Sequence, residues 1–181
     1  MPPVDDDETR QRFERFALPH LDAAYNLARW LVRDAHDAQD VVQDALVRAL
    51  RHFDGFRGGD PRPWLLAIVR NAAFAWLGSR RPGEVVGPDD ELDAALAVGA
   101  PVSDPETLAI RRAERREIDA AIAALPIAFR EAVVLRELEE MSYRDIARIT
   151  DVPIGTVMSR LSRARHLMAA ALRPDAARSL A

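Results

Sequence analysis

The residues best placed to do chemistry lie near the C-terminal end of the chain, between 142 and 168. Thr156, Ser159, Arg160 and Arg163 recur at steps of three, one and three and share one stripe of a helix. Val157, Leu161, Ala164 and Met168 recur at four, three and four. They form an apolar stripe about 120° around from the first, at roughly 100° per residue. Hydroxyls and guanidiniums set beside a packed stripe are what a DNA major groove asks of a helix. Arg pairs with guanine edges, and Ser or Thr meets a base or a phosphate. An amphipathic helix with a solvated basic face would show the same two stripes.

The residues just upstream favour the DNA reading. Ser142 is a good N-cap for a short helix, with Asp145 completing a box-like pair. Ile146, Ala147 and Ile149 supply its buried side. Thr150-Asp151 makes a tight turn, and Asp tolerates the left-handed conformation such a turn needs. Pro153 suits the start of the second helix, where its missing N–H costs little. Short helix, tight turn and longer amphipathic helix together are the helix-turn-helix pattern.

Other chemistries find no support. His20, His36, His52 and His166 are scattered without metal-ligand spacing, so no metal site is expected. There is no Gly-rich phosphate loop and no nucleophile motif, so neither a cofactor nor an enzymatic activity is expected. Zero cysteines exclude disulfides and thiol chemistry. The acidic N-terminus has no apolar signal segment and no run of ~18 apolar residues occurs, which predicts a cytoplasmic protein without a membrane span.

The elements that must position these residues are helical. The chain has 181 residues, 49% apolar but only 6% aromatic, without strand-like alternation. Abundant Ala, Leu, Arg and Glu predict an all-α fold. Net charge is −4, but it is unevenly spread. Residues 20–81 carry +2 and residues 111–173 carry +3, while 82–110 carry −7. Two mildly basic bodies are thus expected on an acidic linker. The divisions are a disordered tail 1–9, a helical domain 10–81, the flexible linker 82–110, a helix-turn-helix domain 111–173 and a tail 174–181.

In the first body, helices are predicted at about 9–17, 20–33, 35–52 and 63–80. The second uses Leu21, Ala24, Leu27, Ala28 and Leu31 as its buried face. The third is capped by Asp34 or Asp37 and buries Ala38, Val41, Val42, Ala45 and Ala49. Its outer face shows Asp37, Asp40, Gln43 and Asp44, then Arg48 and Arg51. By itself that face is explained by the helix dipole, with acids near the start and bases near the end. The loop 53–63 holds three Gly, two Pro and two Phe. The fourth helix buries Leu65, Ile68, Ala72 and Trp76 and carries Trp64, Arg70, Asn71 and Phe74 elsewhere, ending on Arg80-Arg81. Two readings fit it equally. Aromatics with Arg and an Asn amide suit single-strand recognition, where each stacked base is worth ~1–3 kcal/mol. Alternatively Trp64 and Phe74 are core and Arg80-Arg81 complement the helix end. In the second body a helix over about 104–124 uses Ile118, Ala121, Ile122 and Leu125. Pro126 starts the next, about 127–139, with Phe129, Val133, Val134 and Leu138.

Taken together, the blocks 34–46, Phe56-Arg57-Gly58, 63–71, Leu125-Pro126, 142–147 and 155–165 resemble the extracytoplasmic-function (ECF) sigma factors of bacteria. The resemblance covers about 10–81 and 111–172 and implies the second and fourth sigma regions. It implies that Asp37, Asp40, Val41, Gln43 and Asp44 grip the clamp helices of the β′ subunit of core RNA polymerase, with a further contact to the β flap. Phe56, Arg57, Trp64, Arg70, Asn71, Phe74, Arg80 and Arg81 are implied to open the minus-ten element and hold a flipped base. Arg144, Thr156, Ser159, Arg160, Arg163 and Arg165 are implied to read the minus-thirty-five element of promoter DNA. An anti-sigma factor is the implied regulatory partner. Met158 stands where many members carry Lys, and Thr150-Asp151 where many carry an apolar residue and Gly. A free-standing helix-turn-helix regulator would leave 35–81 without a purpose. A decoy for an anti-sigma factor would not need Arg160 and Arg163.

Overall fold

The computed structural model describes residues 6–56, 58–79 and 105–173. Among them there are helices and no strands. The linker residues 82–104, the tails 1–5 and 174–181, and Arg57, Arg80 and Arg81 lie outside the described residues.

The first unit has four helices: α1 (Asp6–Ala17), α2 (Leu21–Val32), α3 (Ala35–Arg51) and α4 (Pro61–Ser79). α2, α3 and α4 pack on one another, with α1 laid across α3 and α4. Leu27, Leu31, Leu65, Leu66 and Val69 are almost fully buried at the centre, each worth about 1.5–3 kcal/mol of burial. Asp34 caps α3 by accepting a bond from the Asp37 N–H at 2.9 Å. α1 starts at Asp6, inside the stretch expected to be disordered; Phe13 and Ala17 bury its apolar side and hold it to the unit. α4 begins at Pro61, with the Arg62 N–H bonded to Asp60 Oδ1 at 3.0 Å. Trp76 is only half-buried, outside the Leu65–Val69–Ala72 stripe.

The second unit comprises α5 (Pro105–Ala124), α6 (Ile127–Val133), a π-helical turn (Val134–Leu138), α7 (Tyr143–Thr150) and α8 (Ile154–Ala171). α5 matches the helix expected over about 104–124, and its first six residues fall within the stretch 82–110 assigned to the linker. It packs only by its last turns, where Ala121, Ile122 and Leu125 are buried. Ile118, expected inside, is therefore exposed, at 44%. The helix expected to run to 139 stops being α-helical at Val134. The Glu139 N–H reaches back five residues to Val134 O at 3.0 Å. This wider turn rolls the chain and leaves Leu138 outside, contrary to its expected inward place.

One apolar core runs through both units without a break. α4 packs against α7, and α2 against α6. Arg130 clips the seam. Its guanidinium donates to Ala123 O at 2.8 Å, Leu125 O at 2.9 Å and, across the seam, Trp30 O at 3.2 Å.

Candidate nucleic-acid interface

The helix-turn-helix forms as its residues dictate. Ser142 accepts the Asp145 N–H at 3.1 Å and donates its hydroxyl to the Asp145 carboxylate at 2.6 Å. Ile146 and Ile149 are buried, and Thr150 Oγ1 donates to Ile146 O at 2.7 Å. Asp151 turns the chain in the left-handed region, at φ 52° and ψ 48°. Pro153 precedes the first turn of α8. Val157, Leu161 and Ala164 are buried, with Met168 packed beside them.

That packing aims the opposite residues outward. Ser159, Arg163 and Arg165 are exposed, as is Arg144 on α7. Thr156 is half-buried, and Ser159 Oγ donates to its carbonyl at 2.9 Å. Arg165 meets Glu137 at 2.8 Å, and that hydrogen bond raises its pKa. Arg163 pairs with no carboxylate among the described residues. Arg160 behaves differently. Its side chain is 22% exposed and Nη1 lies 3.1 Å from Glu131 Oε1. Arg144 also borders a shallow cleft with Arg148, Asp151, Val152 and Ile154, where the turn meets α8.

On α3, Asp40, Gln43 and Asp44 are exposed and Asp37 is half-buried. Asp44 pairs with Arg48 at 2.7 Å, an exposed i,i+4 pair worth about 0.3–0.5 kcal/mol. Val41 is 2% exposed and underlies this face instead of lying on it, because it shares the inward stripe with Ala38, Val42 and Ala45.

The loop before α4 is held by rings. Phe16 and Phe56 meet edge to face at 4.5 Å, Phe56 lies 5.1 Å from Trp64, and Phe16 lies 5.2 Å from Phe53. Gly58 and Gly59 turn the loop at φ 90° and 102°, which favours glycine. Arg12, Arg15, Phe16, Phe53, Phe56 and Gly58 line an open cleft. The contribution of α1 was missed from sequence. The spacing Arg12-Phe13-x-Arg15-Phe16 was its only signal. On α4, Asn71 is exposed. Arg70 lies 4.5 Å above the Phe74 ring and pairs with Glu131, Nε to Oε2 at 2.8 Å. Trp64 and Phe74 are each half-buried against the core.

Residues 16–82 match the Sigma-70 region 2 family and residues 115–168 match Sigma-70, region 4. The RNA polymerase sigma-H factor of Pseudomonas aeruginosa is 35% identical over 173 residues, spanning 91% of this chain and 88% of that one. The ECF RNA polymerase sigma-E factor of Escherichia coli (strain K12) is 40% identical over 140 residues, 72% and 71% of the two chains. The chain belongs to the ECF RNA polymerase sigma factors. The fold of this sigma factor also matches the sigma factor RpoE of Bartonella quintana, solved in complex with the anti-sigma factor NepR. That match has a TM-score of 0.72 at 27% identity and covers 91% of this chain and 99% of that one. The first unit of the sigma factor is therefore region 2 and the second is region 4. No helix among the described residues is long and apolar enough to cross a membrane.

Proposed function

We infer that this sigma factor binds core RNA polymerase in the cytoplasm, directs it to a class of promoters and helps to open them, performing no catalysis itself. One arrangement carries the reading. A helix-turn-helix with an outward hydroxyl and guanidinium face shares a chain with an acidic helix face and a ring-lined loop.

Asp37, Asp40, Gln43 and Asp44 are assigned to the β′ clamp helices, with Val41 supporting them from beneath. Phe56, Trp64, Arg70, Asn71 and Phe74 are assigned to the opened minus-ten strand, together with Arg57, Arg80 and Arg81. Arg144, Thr156, Ser159, Arg160, Arg163 and Arg165 are assigned to the minus-thirty-five duplex, and region 4 to the β flap. An anti-sigma factor is the expected regulator, because a structural relative is found bound to one.

The test is promoter-dependent transcription with purified core polymerase. The expected result is run-off product only when this sigma factor is added. A promoter that fires equally well without it ends the reading. A gel shift of the chain alone separates the sigma reading, which expects weak binding to duplex, from a free-standing regulator, which expects tight and salt-dependent binding.

A further inference from the structure

On the leading turns of α8, Ile154 and Met158 are the apolar side chains left outside the core. Met158 is 54% exposed and Ile154 45%. They are four positions apart and so share one edge of the helix. Val157, Leu161 and Ala164 take the packed stripe. Met158 stands about 100° around from Val157, beside the exposed Ser159 and Ser162. Ile154 borders the shallow cleft that Arg144 and Arg148 of α7 also line.

The surroundings say what covers this edge. Residues 142–168 carry five Arg against two Asp, a surface that draws a polyanion. A protein groove closing over the edge would strip water from the guanidiniums beside it, at a cost. A DNA groove offers those guanidiniums phosphates. The Met158 thioether has no proton to donate, and its sulfur accepts only weakly. Base edges in the major groove present polar donors and acceptors, and the one apolar group among them is the C5-methyl of thymine.

We propose that Met158, with Ile154 behind it, packs on the methyl group of a thymine in the minus-thirty-five element and makes that base a requirement of the promoters this sigma factor chooses. The inference rests on the assignment of α8 to that duplex. Met158 selects in both directions. A thymine gives it a dry apolar contact. Any other base sets an amine or a keto oxygen under the thioether and leaves that group without water or partner. Arg163 lies five positions further along α8, about 7.5 Å of helix rise. At about 3.4 Å per base pair, the thymine therefore falls within about two pairs of the base assigned to Arg163.

The test removes that methyl and nothing else. Core polymerase carrying the full chain is offered a randomised duplex library, and the retained fragments give the preferred minus-thirty-five sequence. Each thymine of that element is then replaced in turn by deoxyuridine, which keeps every hydrogen-bonding group and lacks the methyl. One replacement should weaken holoenzyme binding roughly fourfold, the equivalent of one buried methyl group. Met158→Ala should bind the thymine duplex about as weakly and should no longer distinguish thymine from uracil. Met158→Lys, which sets a cation in the same place, should also lose the distinction, and should steepen the log–log salt dependence by about one. Both variants replace an exposed side chain, so circular dichroism and core polymerase binding should match the parent. A parent indifferent to uracil at every thymine overturns the proposal, as does a preferred element with no thymine. So does a Met158→Ala variant that keeps the parent's discrimination. A Met158→Ala variant that loses core polymerase instead places this edge on a protein and overturns it too. A library from which the holoenzyme selects nothing beyond core polymerase alone sinks the sigma reading and the role of Met158 together. A clear minus-thirty-five preference without methyl dependence sinks only the role of Met158.

Discussion

Arg130 offers the sharpest test of how region 4 is held together and joined to region 2. Its guanidinium reaches three carbonyls, those of Ala123, Leu125 and Trp30. The first two end α5, where helix carbonyls lack partners of their own. Bonds from a charged donor are worth roughly 1.5–3 kcal/mol each. Against this, burial and the nearby charge of Arg33 push the guanidinium pKa down to about 10, a penalty on the order of 3 kcal/mol. Nε is buried and finds no partner among the described residues. Arg130→Met keeps much of the stem and opens little cavity, so the polar loss dominates. The expected cost is about 3 kcal/mol, because the gain from no longer burying a cation is offset by three carbonyls left bare. Urea unfolding followed by circular dichroism measures it as a lower midpoint at unchanged slope. A Met variant within about 1 kcal/mol of the parent, well below the usual cost of buried groups left unsatisfied, would refute the clip.

Arg130→Lys adds a pH signature. An ordinary lysine titrates near about 10.4, and the same burial and Arg33 charge would hold this one lower. The folded protein would then release the proton before the unfolded chain does. Stability should rise with pH between the depressed value and about 10.4, and be flat well below it. The parent, titrating at about 10, should show no such rise between pH 7 and 9.

Further outcomes are expected elsewhere. Asp34→Ala should cost about 1 kcal/mol through loss of the α3 cap, and Asp34→Asn much less. The bond from the Asp37 N–H holds the Asp34 carboxyl below its ordinary 3.8. Its share of stability should thus be intact above pH 3.8 and fade as pH falls through the lower, folded value; acid unfolding of the parent beside the Asp34→Asn variant would show it. Asp40→Arg should weaken core polymerase binding in a pull-down with helix content unchanged; an unfolded variant would return that face to a structural role. Arg163→Ala should cost about 1–3 kcal/mol at one position of the minus-thirty-five element, and an unaltered promoter preference in a mutated-template series would remove Arg163 from the readers.

Helix positions, the helix-turn-helix caps, the Asp151 turn and the family itself were legible in the residues. These signals are local: caps, turns and apolar stripes act over three or four positions, so the chain order displays them directly. Edges were read less well. α1 begins earlier than its acidic composition suggests, and the π-helical turn has no periodic mark to announce it. Ile118 matched its stripe yet faces solvent, because a stripe says which residues share a side and not whether a neighbour arrives to cover it.

By itself, the sequence determined a helical sigma factor with a helix-turn-helix and an acidic outer face on its third helix. Only the tertiary structure decided that the two units share one core. It also decided that Phe16 joins Phe56 and Trp64, and that Arg70 and Arg160 end on Glu131. Arg70 and Glu131 lie 61 positions apart, and Asn26 and Glu139 lie 113 apart. Contacts at such separations leave no periodicity along the chain. They exist because buried carboxylates must find cations wherever packing brings them within reach.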